Sequence, residues 1–416
     1  MARPSLYALI LVTFLATTTL WPLGCARRPG DLEAAPARPE PASEVDTLVV
    51  AAYTGFALEL FAQLRSDRPG ENIFLSPASV AVALAMTYNG AEGLTREAMA
   101  QVLGIQDLDA ARFNEGNRNL LSVLENPDPK VEVTLANSLW ARLGFSFHRA
   151  FLETNRSYYA AEIREVDFDQ PGSPATINAW VSEKTRGKIP SIVQRIDPDH
   201  ILFLVNAIYF KGSWTTQFEK KATKDGTFTL PDGWQVTHPM MSRSGTFEYY
   251  HGDGFQAVRL PYGEGRTSMY VFLPDAESDL AAFLEALNPQ AWEYWLGQFG
   301  KQEGYLVLPR FKVEAEFDLS DSLKALGMEV AFDPDRADFS GMCPVPPSVF
   351  IGSVKHKAFV EVNEEGTEAA AVTSVEMRVT AMPKTFQMLV DRPFVFAIRD
   401  DVTGVILFMG AVLDPR

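Results

Sequence analysis

The chain has only two cysteines in 416 residues, Cys25 and Cys343, and Cys25 sits at the end of an apolar leader. Once that leader is processed, no internal disulfide can form and the fold must rest on its core alone. Histidine is as scarce: His148, His200, His238, His251 and His356 make no His-Glu-x-x-His pair, and two isolated cysteines make no zinc knuckle, so no metal is expected. A Gly-x-Ser-x-Gly elbow is missing as well. Gly252-x-Gly254-x-x-Ala257 has the letters of a dinucleotide fingerprint, but Val258-Arg-Leu-Pro261 follows where a pyrophosphate would need a helix. The sequence therefore offers no constellation for an enzyme and none for a cofactor. Basic residues are in deficit, 37 against 53 acidic ones, and the net charge of -16 argues against a nucleic-acid partner, because phosphate binding needs a basic face.

What is present is apolar: 47% of residues, with 22% charged, enough for a sizeable core. Arg3 followed by the apolar run Leu6 to Leu20 has the layout of a secretory signal over residues 1–25. Trp21-Pro-Leu-Gly-Cys25 resembles a bacterial lipobox, except that Pro22 stands where that motif has leucine. Two outcomes stay open, plain secretion to the extracellular side and lipidation of Cys25, which would anchor the exported chain to the bacterial cell envelope by acyl chains. Residues 26–44 form a tether rich in proline and alanine, too poor in apolar surface to order itself.

From about residue 45 to 416 the pattern predicts one α+β domain. Helices are expected over Val45 to Arg65, from Pro77 to about Tyr88, and at Thr95 to Leu103, Asp109 to Glu125 and Ala175 to Thr185. Strands are expected at Asn72 to Ser76, Val131 to Trp140, Ile201 to Phe210, Gln256 to Tyr262, Thr267 to Leu273, Leu306 to Val313, Phe350 to Val362, Phe394 to Arg399 and Val405 to Val412. Helices come mostly early and strands mostly late, with no internal repeat.

The most informative stretch is Glu361 to Met382, EVNEEGTEAAAVTSVEMRVTAM. From Thr367 every second residue is apolar or small, through Ala369, Ala371, Thr373, Val375, Met377 and Val379. That is the period of a strand with one face for a core. Gly366 can take backbone angles that other residues avoid, and Pro383 removes a ladder donor, so the strand is bounded by a hinge and a stop. The competing reading is a helix capped by Thr367; Val375 and Val379 break its period.

Together with this stretch, four further strings carry a resemblance: Asn72-Ile-Phe-Leu-Ser-Pro77, Ile177-Asn-Ala-Trp-Val-Ser-Glu-Lys-Thr-Arg-Gly-Lys-Ile189, Leu204-Val-Asn-Ala-Ile-Tyr-Phe-Lys-Gly-Ser-Trp214 and Leu308-Pro-Arg-Phe311. The fifth is His356-Lys-Ala-Phe-Val-Glu-Val-Asn-Glu-Glu-Gly-Thr-Glu-Ala-Ala-Ala371. In this order they resemble a serpin, a serine protease inhibitor, over Leu48 to Arg416. The resemblance implies three β-sheets, about nine helices and an exposed reactive-centre loop from about Glu364 to Pro383. It implies suicide-substrate trapping: a target serine protease cleaves the loop, is held as a covalent acyl-enzyme, and is carried along as the loop inserts into the large sheet. Loop insertion by serpins is itself a known instance of strand addition and of stored strain released by proteolysis.

Residue by residue, the loop hinge falls on Glu364, Gly366, Thr367, Glu368, Ala369, Ala370 and Ala371. Thr367, Ala369 and Ala371 carry small side chains and none of these positions is proline, as a segment that must pass between packed strands requires. A sheet-opening cluster falls on Ser76, Ser79, Asn206 and His356, and the place where the loop enters on Trp214, Arg310 and Glu364. The scissile bond falls between Thr380 and Ala381, with Arg378, Val379 and Met382 as alternatives, because the stretch to Pro393 is about two residues longer than usual in the family. Thr380 or Val379 suits an elastase-like or subtilisin-like target, Arg378 a trypsin-like one. The chain is expected to be a monomer. The alternative is a non-inhibitory serpin with a binding or chaperone role.

Overall fold

The computed structural model describes residues 45–125, 128–276, 278, 280–367 and 385–416. Among these residues there are nine α-helices. Five come early: α1 (Thr47–Asp67), α2 (Pro77–Tyr88), α3 (Gly93–Leu103), α4 (Ala110–Leu124) and α5 (Arg149–Tyr159). Then follow α6 (Ser173–Lys184), α7 (Leu280–Ala286), α8 (Pro289–Leu296) and α9 (Ser320–Leu323). The strands are β1 (Ile73–Leu75), β2 (Val131–Arg142), β3 (Glu162–Val166), β4 (Leu202–Ser213), β5 (Lys224–Thr229), β6 (Gln235–His251), β7 (Phe255–Pro261) and β8 (Thr267–Pro274). They continue as β9 (Gly300–Pro309), β10 (Phe311–Asp318), β11 (Lys355–Val362), β12 (Gly366–Thr367), β13 (Phe386–Leu389), β14 (Phe394–Asp400) and β15 (Ile406–Val412).

Local chemistry accounts for the helix starts that matter here. Asp46 caps α1 by accepting from the Leu48 amide at 2.9 Å, and the helix turns Val49, Phe56, Leu60 and Leu64 inward. Ser76 caps α2 in the same way through Ser79, with Pro77 in the first turn, where its missing amide hydrogen costs nothing. Nearly every residue of α2 is buried, so this helix runs through the core.

The strands form three sheets. One runs β10-β11-β12-β4-β2-β3. The other strands form a ladder network shared at β6. Its residues 235–240 pair with β5 and 240–249 with β9, which leads on to β13. Its last residues pair with β7, which leads to β8, β14, β15 and β1.

β4 is buried on both faces, which explains why Leu202 to Phe210 is apolar except at Asn206. Phe203, Val205 and Ala207 join Trp140, Ile177 and Trp180 in a small core under α6, while Leu204, Ile208 and Phe210 face the main core. The expected strand Leu306 to Val313 is two strands. Leu308 pairs with Met241 in one sheet and Phe311 with Val362 in another, so the chain changes sheets at Pro309 and Arg310. The expected strand from Phe350 begins only at Lys355.

Candidate functional site

β11 and β12 form a tight hairpin around Asn363-Glu-Glu-Gly366, with Asn363 and Gly366 exchanging backbone hydrogen bonds at 3.0 and 3.3 Å. Gly366 has φ of 147°, and a Cβ there would lie 2.1 Å from the Gly212 carbonyl oxygen, so only glycine fits. Gly366 and Thr367 then pair with Ser213 and Gly212 of β4 on one side, and Thr367 with Val362 of β11 on the other. Here β4 and β11 are two strand spacings apart, about 9.5 Å. Among the described residues no ladder joins β4 directly to β11. The upper end of a strand-wide position in this sheet is thus filled by β12.

The polar groups of the hairpin converge on this mouth. Glu364 is 2% exposed; its Oε1 accepts from Arg310 Nε at 2.8 Å and Nη2 at 2.5 Å, and from Thr223 Oγ1 at 2.5 Å. Burial pushes the Glu364 carboxyl up, but the hydrogen bonds from Arg310 and Thr223 outweigh it and hold the pKa below the usual range. Glu365 pairs with Lys220 at 2.5 Å. Trp214 donates its indole N–H to the Asn363 carbonyl and its amide to the Glu365 carbonyl, each at 2.9 Å, and stacks on Tyr262 at 4.3 Å. The Tyr262 and Thr367 hydroxyls hydrogen-bond at 2.7 Å. Trp214, Arg310 and Glu364 are thus gathered at one place. No local pattern marks Tyr262, Thr223 or Lys220, which reach the mouth from other parts of the chain.

Ser76, Ser79, Asn206 and His356 are also gathered, beneath the same sheet. The Ser76 amide donates to His356 Nε2 at 3.0 Å, Ser76 Oγ donates to the Leu407 carbonyl at 2.7 Å, and Ser79 Oγ donates to Asn206 Oδ1. Asn206 Nδ2 in turn donates to Asn137 on β2, an additional member. An asparagine inside the apolar strand Val131–Arg142 was the available signal.

His356 is neutral here: burial brings its pKa down to about 4, and an acceptor Nε2 has no room for a second proton. The folded pKa lies below the ordinary value of 6.5, so the unfolded chain binds more protons between them. Stability from this group is complete above pH 6.5 and is lost as pH falls towards 4, by about 3 kcal/mol in all. A urea midpoint measured from pH 7 to 4 is expected to fall accordingly, and His356→Gln to lack this component. An unchanged pH slope in the variant would refute the assignment.

Glu368, Ala369, Ala370 and Ala371 of the hinge, Arg378, Val379, Thr380, Ala381 and Met382 around the scissile bond, and Cys25 of the leader lie outside the described residues. No group of three or more histidine, cysteine, aspartate or glutamate side chains that could hold a metal occurs among the described residues.

Comparison with known proteins matches residues 51–415 to the family described as Serpin (serine protease inhibitor). Human serpin B11 is 34% identical over 383 residues, covering 86% of this chain and 97% of the relative. Neuroserpin of Rattus norvegicus is 36% identical, covering 87% of this chain and 90% of the relative. Among solved structures, the native state of the thermophilic serpin tengpin superposes with a TM-score of 0.83 at 32% identity, covering 91% of this chain and 97% of that one. Human thyroxine-binding globulin complexed with its hormone gives 0.81 at 27% identity, covering 89% and 100%.

Proposed function

The chain belongs to the serpin family, generally inhibitors of proteases, and we propose that it is an inhibitor that traps serine proteases as a suicide substrate. One observation carries the reading: Gly366 and Thr367 are paired between β11 and β4, and the alternating residues that follow in the sequence suit continuation of that strand.

In this mechanism the protease serine Oγ attacks the Thr380 carbonyl carbon, the bond to the Ala381 nitrogen breaks, and the new amine takes a proton. Thr380 stays on the protease as an ester. Deacylation by water competes with insertion of residues 368–380 below Thr367. If insertion is faster, the ester is carried away from the geometry that hydrolyses it. Ser76, Ser79, Asn206 and His356, beneath β4 and β11, would then be the groups that reorganise as the segment enters between those strands, while Arg310, Glu364 and Trp214 hold the mouth.

The test is incubation of the chain with elastase, subtilisin and trypsin, followed by SDS gel and mass spectrometry of the released C-terminal peptide. A covalent complex with elastase or subtilisin and a peptide starting at Ala381 is expected. Cleavage by all three with no complex would overturn the reading. It would favour a binding role, which the likeness to thyroxine-binding globulin keeps as the second reading. Export, either by plain secretion or with Cys25 lipidated in a bacterial envelope, belongs to the same proposal; the mass of the mature N-terminal peptide tells the two apart.

A further inference from the structure

Thr367 at the mouth and Phe386 at the start of β13 flank segment 368–384 in the sequence, and a continuous column of side chains joins these two anchors. From the mouth, Trp214 stacks on Tyr262 and meets Phe218 edge-on at 6.4 Å. The Arg243 guanidinium lies 5.2 Å from the Phe218 ring centre and 4.6 Å from that of Phe247. Phe247 meets Phe386 edge-on at 5.6 Å, and Phe386 stacks on Tyr249 at 3.9 Å.

Each end of this column is tied to the chain it supports. The Phe218 amide donates to the Glu364 carbonyl at 3.0 Å. Phe386 begins the parallel pairing of β13 with β9, opposite Gly304. Gly304 faces Gly245 across β9 and β6, and a Cβ on Gly304 would fall 2.2 Å from the Phe386 ring, so the ring is seated where no side chain stands.

Arg243 stands between the two aromatic halves. On β6 it is opposite Leu306 of β9, which is opposite Met388 of β13, so its backbone shares a row with the anchored strand. Its guanidinium also donates to the Thr216 carbonyl, in the loop that leads to Phe218. A cation near two rings is attracted to both, whereas among the described residues Phe218 and Phe247 make no ring contact with each other: Phe218 meets Trp214 and Phe247 meets Phe386.

We propose that Arg243 is a positioning residue that couples the two anchors of segment 368–384: seating of Phe386 on β9 stabilises the pairing of Glu364 to Thr367 at the mouth, and the reverse. Coupling of this kind is reciprocal by thermodynamic necessity. It deepens the inhibitor reading, since both anchors would frame the reactive loop, but its test does not need inhibition.

The test is amide hydrogen exchange on the full chain with Gly304→Ala, Arg243→Met, both together, and Arg243→Lys. Gly304→Ala unseats Phe386, so exchange at 386–389 quickens, and exchange at Trp214 and Phe218 is expected to quicken about tenfold with it. With Arg243→Met in place, Gly304→Ala is expected still to loosen 386–389 but to change Trp214 and Phe218 less than about twofold. Arg243→Lys, which keeps the cation, should retain most of the coupling. Phe386→Leu, a smaller disturbance of the same seat, repeats the measurement if Gly304→Ala does not fold. The proposal is overturned if β13 loosens while Trp214 and Phe218 keep their wild-type rates, or if the response at the mouth is the same with and without Arg243. Intact coupling in a chain that traps no protease would leave this proposal standing and sink the functional one.

Discussion

If the chain is the inhibitor proposed above, Thr367→Arg is expected to turn it into a substrate: the loop is still cut, and the covalent complex falls about a hundredfold. Thr367 is 2% exposed, paired on both sides and hydrogen-bonded to Tyr262. An arginine at that point must either bury its guanidinium among Tyr262 and its neighbours or withdraw the strand from its place. Burying an unpaired charge costs several kcal/mol, and about 3 kcal/mol on the insertion barrier slows that step roughly a hundredfold. Deacylation is untouched, so the balance between the two passes to hydrolysis. Thr367→Ser keeps the hydroxyl and should inhibit normally. Quantifying complex and cleaved chain on one gel decides the matter; a Thr367→Arg chain that forms complex at the wild-type level would remove the insertion mechanism from consideration.

The second large effect is expected from Glu364→Lys. Arg310 is 43% exposed at its side chain and can turn to water, but position 364 is 2% exposed and cannot. The substitution removes the carboxylate that Arg310 and Thr223 share and puts a second cation in its place. Breaking a buried pair by leaving an uncompensated charge costs about 3 to 5 kcal/mol. The expected result is a urea midpoint lowered by that amount, with faster exchange at Trp214 and Phe218, whose amides bond the neighbouring carbonyls. Glu364→Gln, which loses the charge but can still accept a hydrogen bond, should cost about 1 to 3 kcal/mol. Equal costs for the two variants would mean that charge at this position is unimportant.

These two positions were legible in the sequence because the string around them is distinctive and local. Much of the helical and strand pattern was legible too: α1 and α2 follow from apolar spacing and caps, and β4 from an apolar run that Asn206 alone interrupts. What was hidden is what the fold brings in from a distance. Tyr262 looked like the last residue of a strand, and Thr223 and Lys220 like ordinary loop polarity, until the sheets placed them beside the hairpin. β6 escaped notice because its seventeen residues alternate poorly where they serve three partners in turn. The break at Pro309 was missed because an apolar run of the right length says nothing about which sheet each half joins.

The short strand β12 also bears on how much such a molecule can do. It fills one end of a place that a single segment of this same chain can complete. On the inhibitor reading, that place is filled once and is not regenerated, so each molecule would remove one protease and then be spent. Capacity is then a count rather than a rate. A cell using it would set its protection by how many copies it makes, and a titration would end at a fixed ratio of the two proteins however long it ran.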